Sequence, residues 1–349
     1  MMLAVSFIVP VYKVPLEYLR TCLNSLIAQT MQECEFILVS DGAPEAECSI
    51  CEEYATKDSR FKFFKQKHAG VSAARNYGIE QSQGDYIIFV DSDDQVDKAL
   101  CSSIYRRAKK WDSDIILFEY SHKNKSKIFS HSIYNTDISG ITSSERNHLI
   151  NEVCFATKNY SLILLGVCCK AYKRTFLNKN KLTFDTRFCY SEDQFFCLNT
   201  LLKTKKISYI ASALYQQNYR IDSASFSYKE NYEKEVFCYL DSFKKVIEQN
   251  NLSSNFTYNR AIQCILYTLD KCIFRPAPNL TISMRKKLFN DFLNYSICKD
   301  SLRLFDKNKF KFSERCLCFL CKYRLFFPLL LISKKWHWDR KRQIPHNPA

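Results

Sequence analysis

Apolar runs alternate with amphipathic segments through the first 120 residues. The runs predicted as strands are AVSFIVPVY, CEFILVS, RFKFFKQ, DYIIFV and SDIILFEYS. The segments between them are predicted as helices: PLEYLRTCLNSLIAQT, EAECSICEEYATKD, VSAARNYGIEQS and DKALCSSIYRRAKKW. The strands are rich in Val, Ile and Phe, whereas the first helix has apolar residues at helical spacing. Strand–helix alternation at this spacing predicts right-handed βαβ units and an α/β fold, with a mostly parallel sheet flanked by helices.

The rest of the chain changes character twice. Polar residues dominate positions 121–160, which predicts a loop-rich insertion. Order returns with a predicted helix in SEDQFFCLNTLLKTKK, which would begin at Ser191 as its N-cap, and a predicted strand in ISYIASALYQQNYR. Beyond this strand the pattern is helical, with many Tyr, Phe and Lys. We therefore predict one domain over residues 1–228 and a helical C-terminal region over residues 229–349.

The charge balance is strongly positive. The 349 residues include 51 Lys and Arg against 36 Asp and Glu, a formal net charge of +15. Such an excess predicts an anionic partner, which could be nucleic acid, a phosphorylated substrate or an acidic membrane face. The N-terminal stretch lacks the basic start of a signal peptide, and no stretch reaches the ~18–20 apolar residues of a membrane span. We therefore expect a cytoplasmic protein.

Seventeen cysteines are scattered through the predicted strands and helices rather than spaced as a disulfide framework. In a reducing compartment such residues act as small apolar side chains. Cys316, Cys318 and Cys321 lie close in sequence, but no second Cys/His pair follows at zinc-finger spacing. Packing is the favoured interpretation of this group, and a zinc site is the alternative.

An acidic cluster directly follows the predicted strand DYIIFV. Asp91, Asp93 and Asp94 fall within four positions. One interpretation is a solvated turn that caps a helix, because Asp is favoured in both places. Carboxylates crowded at the end of a buried strand would repel one another, however, unless a cation lay between them. Mg²⁺ and Mn²⁺ take oxygen ligands, often one or two carboxylates plus substrate phosphates. We favour a metal site for a nucleotide diphosphate.

The ordered set of motifs resembles a known family. VSFIVPVYKVPLEYLRTCLNSLIAQT, EFILVSDGAPE and HAGVSAARNYGIEQSQGDYIIFVDSDD are similar to the nucleotide-binding half of family 2 glycosyltransferases with the GT-A fold. The resemblance is strong over residues 4–120 and weaker through Gly166–Arg174, Glu192–Phe196 and Tyr215–Ser225. It implies a GT-A sheet, a nucleotide-sugar donor, preferably a UDP-sugar, and a saccharide acceptor.

The resemblance also implies roles for individual residues on the donor side. Pro10 and Tyr12 would line the base pocket after the first strand, and Asp41 would hydrogen-bond the uracil. Asp93 would coordinate Mn²⁺ or Mg²⁺. Asp91 would contact the ribose or the sugar, or support the metal.

Further roles follow from the later motifs. Arg75 would lie beside the donor pocket. In SEDQFF the resemblance implies a general base, here Asp193, with Glu192 beside it. Acids also favour a helix N-terminus, which is the structural alternative for this pair. Catalysis requires a carboxylate that faces the sugar opposite the leaving diphosphate, and a single displacement there inverts the anomeric centre.

Two positions depart from the family pattern. Lys13 stands where the family often has Asn, which leaves the donor preference open. Ser40-Asp41 stands where an Asp-Asp pair is common in the family. The second acid of this pair, Asp41, which would bind the uracil, is present.

Several other polar residues have two interpretations. The resemblance implies that Arg220, with Ser223 and Ser225, closes over the diphosphate, and an ordinary surface loop is the alternative. Lys170 and Arg174 would face the acceptor or lie on a solvated basic turn. His68 is interpreted as structural rather than catalytic.

The C-terminal tail combines apolar and basic residues. CLCFLCKYRLFFPLLLISKKWHWDRKRQ combines an apolar run with Arg324 before it and with Lys334, Lys335, Arg340, Lys341 and Arg342 after it, and Trp336 and Trp338 flank the charged end. This composition favours an element at a membrane interface, although a packed terminal helix is the alternative. It suits an enzyme on the inner face of the cytoplasmic membrane whose acceptor is linked to a lipid diphosphate. The resemblance and the tail together predict O-antigen, capsule or exopolysaccharide synthesis.

Two other functions would suit parts of the sequence. A basic nucleic-acid-binding protein without catalytic activity would suit the charge, but no helix-turn-helix, zinc-finger or RRM motif is present. An enzyme that forms sugar nucleotides should have a glycine-rich phosphate loop near its N-terminus, and FIVPVYKVP has no glycine.

Overall fold

The structure is a computed structural model that describes residues 3–124, 127–155, 161–188, 190–218, 231–274 and 280–333. The chain divides into two compact units, Met1–Tyr219 and Arg220–Ala349. The predicted boundary at residue 228 falls in a stretch outside the described residues, so it stays a prediction.

The first unit is built on one sheet. Its strands are β1 Val5–Val11, β2 Cys34–Asp41, β3 Phe61–Gln66, β4 Tyr86–Phe89, β5 Gln95–Val96, β6 Ile115–Asn124, β7 Lys127–His131, β8 Lys170–Lys173 and β9 Ile207–Gln217. Their order is β3-β2-β1-β4-β8-β6-β9-β5, with β7 paired to β6. The pairs among β3, β2, β1 and β4 are parallel, as is β6 with β9, and the remaining pairs are antiparallel.

Helices connect these strands. They are α1 Leu16–Ile27, α2 Glu45–Lys57, α3 Val71–Gln81, α4 Leu100–Trp111, α5 Ser143–Phe155, α6 Arg174–Lys179 and α7 Glu192–Lys203. The apolar runs of β1, β2 and β4 are almost wholly buried, as parallel strands covered on both faces require. The predicted α/β fold is thus confirmed, and the antiparallel pairs come mainly from short strands that the sequence pattern did not reveal.

The prediction of a loop-rich insertion over 121–160 is wrong. β6 continues to Asn124 and turns back as the hairpin strand β7, and α5 occupies Ser143–Phe155. β7 is exposed at Ile128 and Phe129, so it lacks the polar alternation of a half-buried strand. α5 buries only Leu149, Ile150, Val153 and Cys154, too narrow a stripe to stand out in a polar sequence.

The helix that follows β3, α3, packs closely on β1. A Cβ added at Gly78 would lie 2.4 Å from the Cγ2 atom of Ile8, so only glycine allows this approach. The start of α3 lies beside the carboxyl end of β2, because the Gly70 backbone N–H donates to the Asp41 carboxylate at 2.9 Å.

The second unit is helical. Its helices are α8 Tyr232–Gln249, α9 Asn255–Thr268, α10 Ile282–Asn294, α11 Ser296–Leu304 and α12 Phe312–Lys322, and residues 326–333 are also helical. Leu240, Ile262 and Phe289 are among the fully buried side chains of this unit. A buried hydrogen bond from Arg260 Nε to the Tyr239 hydroxyl, 2.8 Å long, joins α9 to α8.

Cysteine behaves as an apolar residue here. All sixteen cysteines within the described residues are free, and all but Cys238 and Cys316 are buried. Over the same residues no cluster of three metal-ligating side chains occurs, and no helix is long and apolar enough to span a membrane. The structure describes the apolar part of the predicted membrane-interface tail as far as residue 333, whereas its charged end with Trp336 and Trp338 lies outside the described residues.

Candidate active site

The site lies where parallel strands end side by side. Val11 of β1 pairs with Ser40 of β2, and Ile8 of β1 pairs with Phe89 of β4. From β1 the chain continues to β2 and β3 on one side of β1, whereas β4 pairs with the other side of β1. Such a reversal of strand order opens a crevice beyond the carboxyl ends. The segments that follow β1, β2 and β4 carry the predicted site residues.

Asp41 anchors the loop that follows β3. Its carboxylate is buried and accepts hydrogen bonds from Gln66 Nε2 and from the backbone N–H groups of Ala69 and Gly70, at 2.8, 2.8 and 2.9 Å. His68 Nδ1 lies 2.8 Å from Oδ2. These contacts occupy the acceptor positions of the Asp41 carboxylate. Asp41 can therefore bind the uracil only if the uracil replaces one of these partners. Its role at the uracil stays a prediction.

An aromatic pair stands open at the end of β1. Tyr12 stacks on His68, with ring centroids 4.3 Å apart and planes at 19°. Lys13 has a φ of 49° and places its ammonium 5.1 Å from the Tyr12 ring. Pro10 lies within β1 beside Val39. Tyr12 is exposed, and it therefore offers a flat surface on which a nucleobase can stack.

The three acids that follow β4 differ in how deeply they are buried. Asp94 is buried and accepts hydrogen bonds from the Tyr215 hydroxyl at 2.6 Å and from the backbone N–H of Asn218 at 2.7 Å. Burial raises the pKa of the Asp94 carboxyl, and the negative charge of Asp91 raises this pKa further. Asp94 is thus a buried structural residue and not part of a solvated helix cap, whereas Asp91 and Asp93 are only partly buried.

Two residues at the end of β9 hold the acidic cluster and were missed in the sequence. The Asn218 side chain donates to the Asp93 carbonyl at 2.6 Å, and the Asp91 backbone N–H donates to the Tyr215 hydroxyl at 3.3 Å. Tyr215 is fully buried. A polar aromatic residue in a buried strand was the available signal, because buried hydroxyls usually have a partner.

Arg75 joins the two halves of the predicted site. It is buried on α3, its Nη1 donates to Asp193 Oδ1 at 2.5 Å, and its Nη2 donates to Asp91 Oδ1 at 3.1 Å. Nη1 also lies 3.5 Å from Glu192 Oε1. Burial opposes the charge, but the three carboxylates outweigh it and raise the pKa of Arg75. The structure therefore brings these four predicted residues together.

An aromatic cluster packs against Arg75 and α7. The Arg75 guanidinium lies 5.3 Å from the Phe184 ring, which stacks on Phe196 of α7 with centroids 4.1 Å apart. Phe89, the last residue of β4, packs edge-on against both rings. One cluster thus positions the strand that precedes Asp91 and the helix that carries Asp193.

Asp193 lies in the first turn of α7, in an environment suited to a base. Ser191 occupies the N-cap position with a φ of 52°, and its side chain makes no capping hydrogen bond. Burial raises the pKa of the Asp193 carboxyl and the charge of Asp91 acts in the same direction, while Arg75 and Lys170 only partly oppose them. A carboxylate with a raised pKa is a better proton acceptor near neutral pH.

The interpretation of Lys170 as part of a solvated basic turn is wrong. It lies on β8, is fully buried, and donates a hydrogen bond from Nζ to the Gly166 carbonyl. Arg174 donates from Nε to the Gly84 carbonyl at 2.8 Å, so its guanidinium is hydrogen-bonded to the backbone rather than simply solvated. Arg220, with Ser223 and Ser225, lies outside the described residues.

The residues present fit a divalent cation that shares its ligands with substrate. Asp91 and Asp93 supply hard carboxylate oxygens, and Arg75 contacts only Oδ1 of Asp91. Two carboxylates are too few to enclose Mg²⁺ or Mn²⁺, but together with donor phosphates they form a usual set. The metal role of both residues stays a prediction.

Comparison with known proteins places the chain in context. The model of the family described as glycosyl transferase family 2 matches residues 6–180. EpsH of Bacillus subtilis (strain 168), named as a glycosyltransferase, is 29% identical over 337 residues, 92% of each chain. The poly(ribitol-phosphate) beta-glucosyltransferase of Bacillus spizizenii is 30% identical over 221 residues, 62% of this chain and 32% of that protein.

The fold is also seen in a solved structure. S. aureus TarS 1–349 in complex with UDP-GlcNAc matches with a TM-score of 0.66 and 20% sequence identity, and the match covers 97% of this chain and 92% of that one. At this identity the match establishes the fold, and it confirms the predicted GT-A class.

Proposed function

The chain belongs to glycosyl transferase family 2 and is a glycosyltransferase, and from this premise we propose that it is an inverting, metal-dependent enzyme that uses a UDP-sugar. The acceptor is a saccharide linked to a lipid diphosphate. The interpretation as a nucleic-acid-binding protein without catalytic activity is set aside, because the family model covers half of the chain.

The arrangement around Arg75 carries this proposal. A donor-side acid, Asp91, and a candidate base, Asp193, contact the same guanidinium, although they lie on different elements. Sugar transfer needs one group at the leaving diphosphate and another at the attacking hydroxyl, both within reach of one sugar ring. Arg75 sets that separation.

The donor would bind across the carboxyl ends of β1, β2 and β4. The uracil stacks on Tyr12, next to His68 and the loop that Asp41 holds. The diphosphate lies toward Asp91 and Asp93. A divalent cation bound there with the phosphates would offset the negative charge that develops on the leaving group. The TarS complex with UDP-GlcNAc supports a UDP-linked donor on this fold.

Asp193 would accept the proton of the incoming hydroxyl. The acceptor oxygen attacks the anomeric carbon as the bond to the diphosphate breaks, and the proton passes to the carboxylate. One displacement inverts the anomeric centre, so an α-linked donor yields a β-linked product. The raised pKa of Asp193 favours this transfer. Glu192, 3.5 Å from the same guanidinium, helps to orient the pair.

The acceptor proposal rests on the named relatives and on charge. The Bacillus spizizenii relative is named for transfer to poly(ribitol-phosphate), a polymer whose phosphates are anionic. A net charge of +15 favours an anionic acceptor and an anionic membrane surface. We place the protein peripherally on the inner face of the cytoplasmic membrane, in O-antigen, capsule or exopolysaccharide synthesis.

A donor panel tests the proposal. UDP-, GDP- and dTDP-sugars are supplied with Mn²⁺ and a lipid-diphosphate-linked saccharide, and products are read by mass spectrometry and anomeric NMR couplings. We expect turnover with a UDP-sugar, inversion, and loss of turnover with EDTA or in Asp93→Ala. Asp112→Asn, a carboxylate paired with Lys173, is the matched control and keeps its rate. Retention of configuration, or full activity in EDTA, would contradict the mechanism.

A further inference from the structure

Four aromatic side chains of the second unit are exposed without an evident structural need. Phe312, Phe319, Tyr323 and Phe327, here called the aromatic surface, are 74, 57, 57 and 55% exposed. Exposed aromatic groups close together on a soluble protein usually mark a binding surface.

The aromatic surface follows one side of α12. Phe312, Cys316, Phe319 and Tyr323 are spaced by four, three and four residues, which places them on one helical face. Phe319 and Tyr323 are in direct ring contact, with centroids 4.7 Å apart. The opposite face is buried through Leu317, Cys318 and Cys321, and this face attaches the helix to its unit. The exposed side is therefore apolar beyond what packing of the helix requires.

Cations accompany the exposed rings. The Arg315 guanidinium lies 5.8 Å from the Phe312 ring, and Lys322 Nζ lies 6.0 Å from the Tyr323 ring. Lys286 of α10 lies 5.6 Å from the Phe327 ring. Glu314 is the only acid in the α12 sequence, and its carboxylate accepts from the Lys311 backbone N–H. The surface is thus aromatic and positively charged.

A turn extends the surface beyond α12. Arg324, with a φ of 58°, follows the end of α12 and donates from Nη2 to the Leu293 carbonyl and to Asn294 Oδ1, both at 2.8 Å. Helical residues 326–333 follow, and they bury Phe326 and Leu329 while exposing Phe327 and Leu331. The Arg324 hydrogen bonds tie this turn to the end of α10.

We propose that the aromatic surface docks on an anionic lipid bilayer. Rings of this kind lie at headgroup depth, while neighbouring Lys and Arg side chains contact lipid phosphates. A second copy of the chain is a poorer occupant, since a two-fold contact would place like-charged surfaces together. The purpose of docking rests on the proposed lipid-linked acceptor, but its test requires no donor and no catalysis.

Cys316 gives a local reporter of docking. It is the only exposed cysteine in the part of the chain that the structure describes, and it lies between Phe312 and Phe319 on the α12 face. A polarity-sensitive fluorophore such as NBD, attached to this thiol in the full-length protein, should shift to the blue on vesicles of phosphatidylcholine with about 30% phosphatidylglycerol. Cys316→Ser, labelled in parallel, gives the background from other thiols.

Paired variants separate the two components of binding. Phe319→Ser/Tyr323→Ser should weaken vesicle binding in flotation by about tenfold or more, and should remove the blue shift. Arg315→Gln/Lys322→Gln should weaken binding to anionic vesicles about tenfold and leave weak binding to phosphatidylcholine unchanged. Ile128→Ser/Phe129→Ser, which removes exposed apolar groups of β7 in the first unit, is the control and should bind as the parent does.

Three results would overturn the proposal. The parent protein fails to bind anionic vesicles, or Phe319→Ser/Tyr323→Ser binds them unchanged. Alternatively, light scattering shows a parent dimer that this variant converts to a monomer, which would make a second copy the occupant. UDP binding, measured by calorimetry in every variant, separates failure of the surface from failure of the donor site. Circular dichroism confirms that each variant is folded.

Discussion

Arg75 and Asp193 lie 118 positions apart in the sequence and share a 2.5 Å hydrogen bond. The same guanidinium reaches Asp91 at the end of β4. The contact therefore connects three separate elements, α3, β4 and α7. We infer that Arg75 positions the base relative to the donor, and the first predictions concern this contact.

Arg75→Lys should slow transfer about 100-fold, because a lysine cannot reach two carboxylates in fixed geometry and the base loses its position. The apparent pKa of the acid limb should also rise, since a weaker partner opposes protonation of Asp193 less. Both are read from a pH–rate profile with the preferred donor. Arg20→Lys, in an exposed pair with Glu53, is the control. An unchanged rate and an unchanged acid limb would remove the positioning role.

The unaltered enzyme should lose activity as pH falls through a pKa above that of an ordinary Asp, about 3.9. Burial raises the pKa of Asp193, and the base works only when deprotonated, so activity is full above this pKa and lost below it. The measurement is kcat/KM against pH under conditions where the fold is intact. A flat profile down to pH 4 would be inconsistent with Asp193 as the base.

Tyr215→Phe should destabilise the first unit by about 1–3 kcal/mol, because it leaves the buried Asp94 without one of its donors. It should also weaken UDP binding, since the Asp91 backbone loses its contact with the same hydroxyl. Chemical denaturation and calorimetry measure the two effects. Tyr105→Phe, at an exposed tyrosine of α4, should change neither.

Glu35 should give the fold a pH dependence of its own. Its buried carboxylate accepts from Ser6 Oγ at 2.5 Å, from Lys62 Nζ at 2.7 Å and from the Gln83 backbone N–H at 2.6 Å. Burial alone would raise the pKa of Glu35, but these hydrogen bonds outweigh it and lower this pKa. The stabilisation is present above the unfolded-state value of about 4.3 and is lost as pH falls through the lower folded value.

Glu35→Gln should therefore reduce the free energy of unfolding by about 1–3 kcal/mol at pH 7. The difference between the two proteins should shrink as pH falls below about 4. Denaturant unfolding at several pH values measures it. A constant difference across this range would show that charge at Glu35 contributes nothing.

Much of the first unit could be predicted from sequence, because its signals are local. The apolar runs of β1, β2 and β4 and the helices between them were recognised directly, and parallel strands necessarily bring their ends together. The C-terminal position of the helical region was equally clear. β7 and α5 were missed because neither presents a wide apolar face.

The partners within the site could not be predicted, because they depend on contacts between distant segments. The sequence showed three equivalent acids after β4, and only the contacts of Tyr215 and Asn218 make Asp94 structural. Lys170 reads as a surface lysine until β8 is seen to be buried. The role of Arg75 as a bridge likewise depends on where α7 begins.

Asp193→Asn tests the central claim most directly, because it removes the base and preserves the size and much of the hydrogen bonding of the side chain. UDP affinity is measured by calorimetry with Mn²⁺, and transfer is measured in a single turnover with saturating UDP-sugar. We predict a UDP dissociation constant within about threefold of the parent value and a transfer rate at least about 100-fold lower. Transfer at the parent rate would contradict the assignment of Asp193 as the base and, with it, the mechanism built on the Arg75 contact.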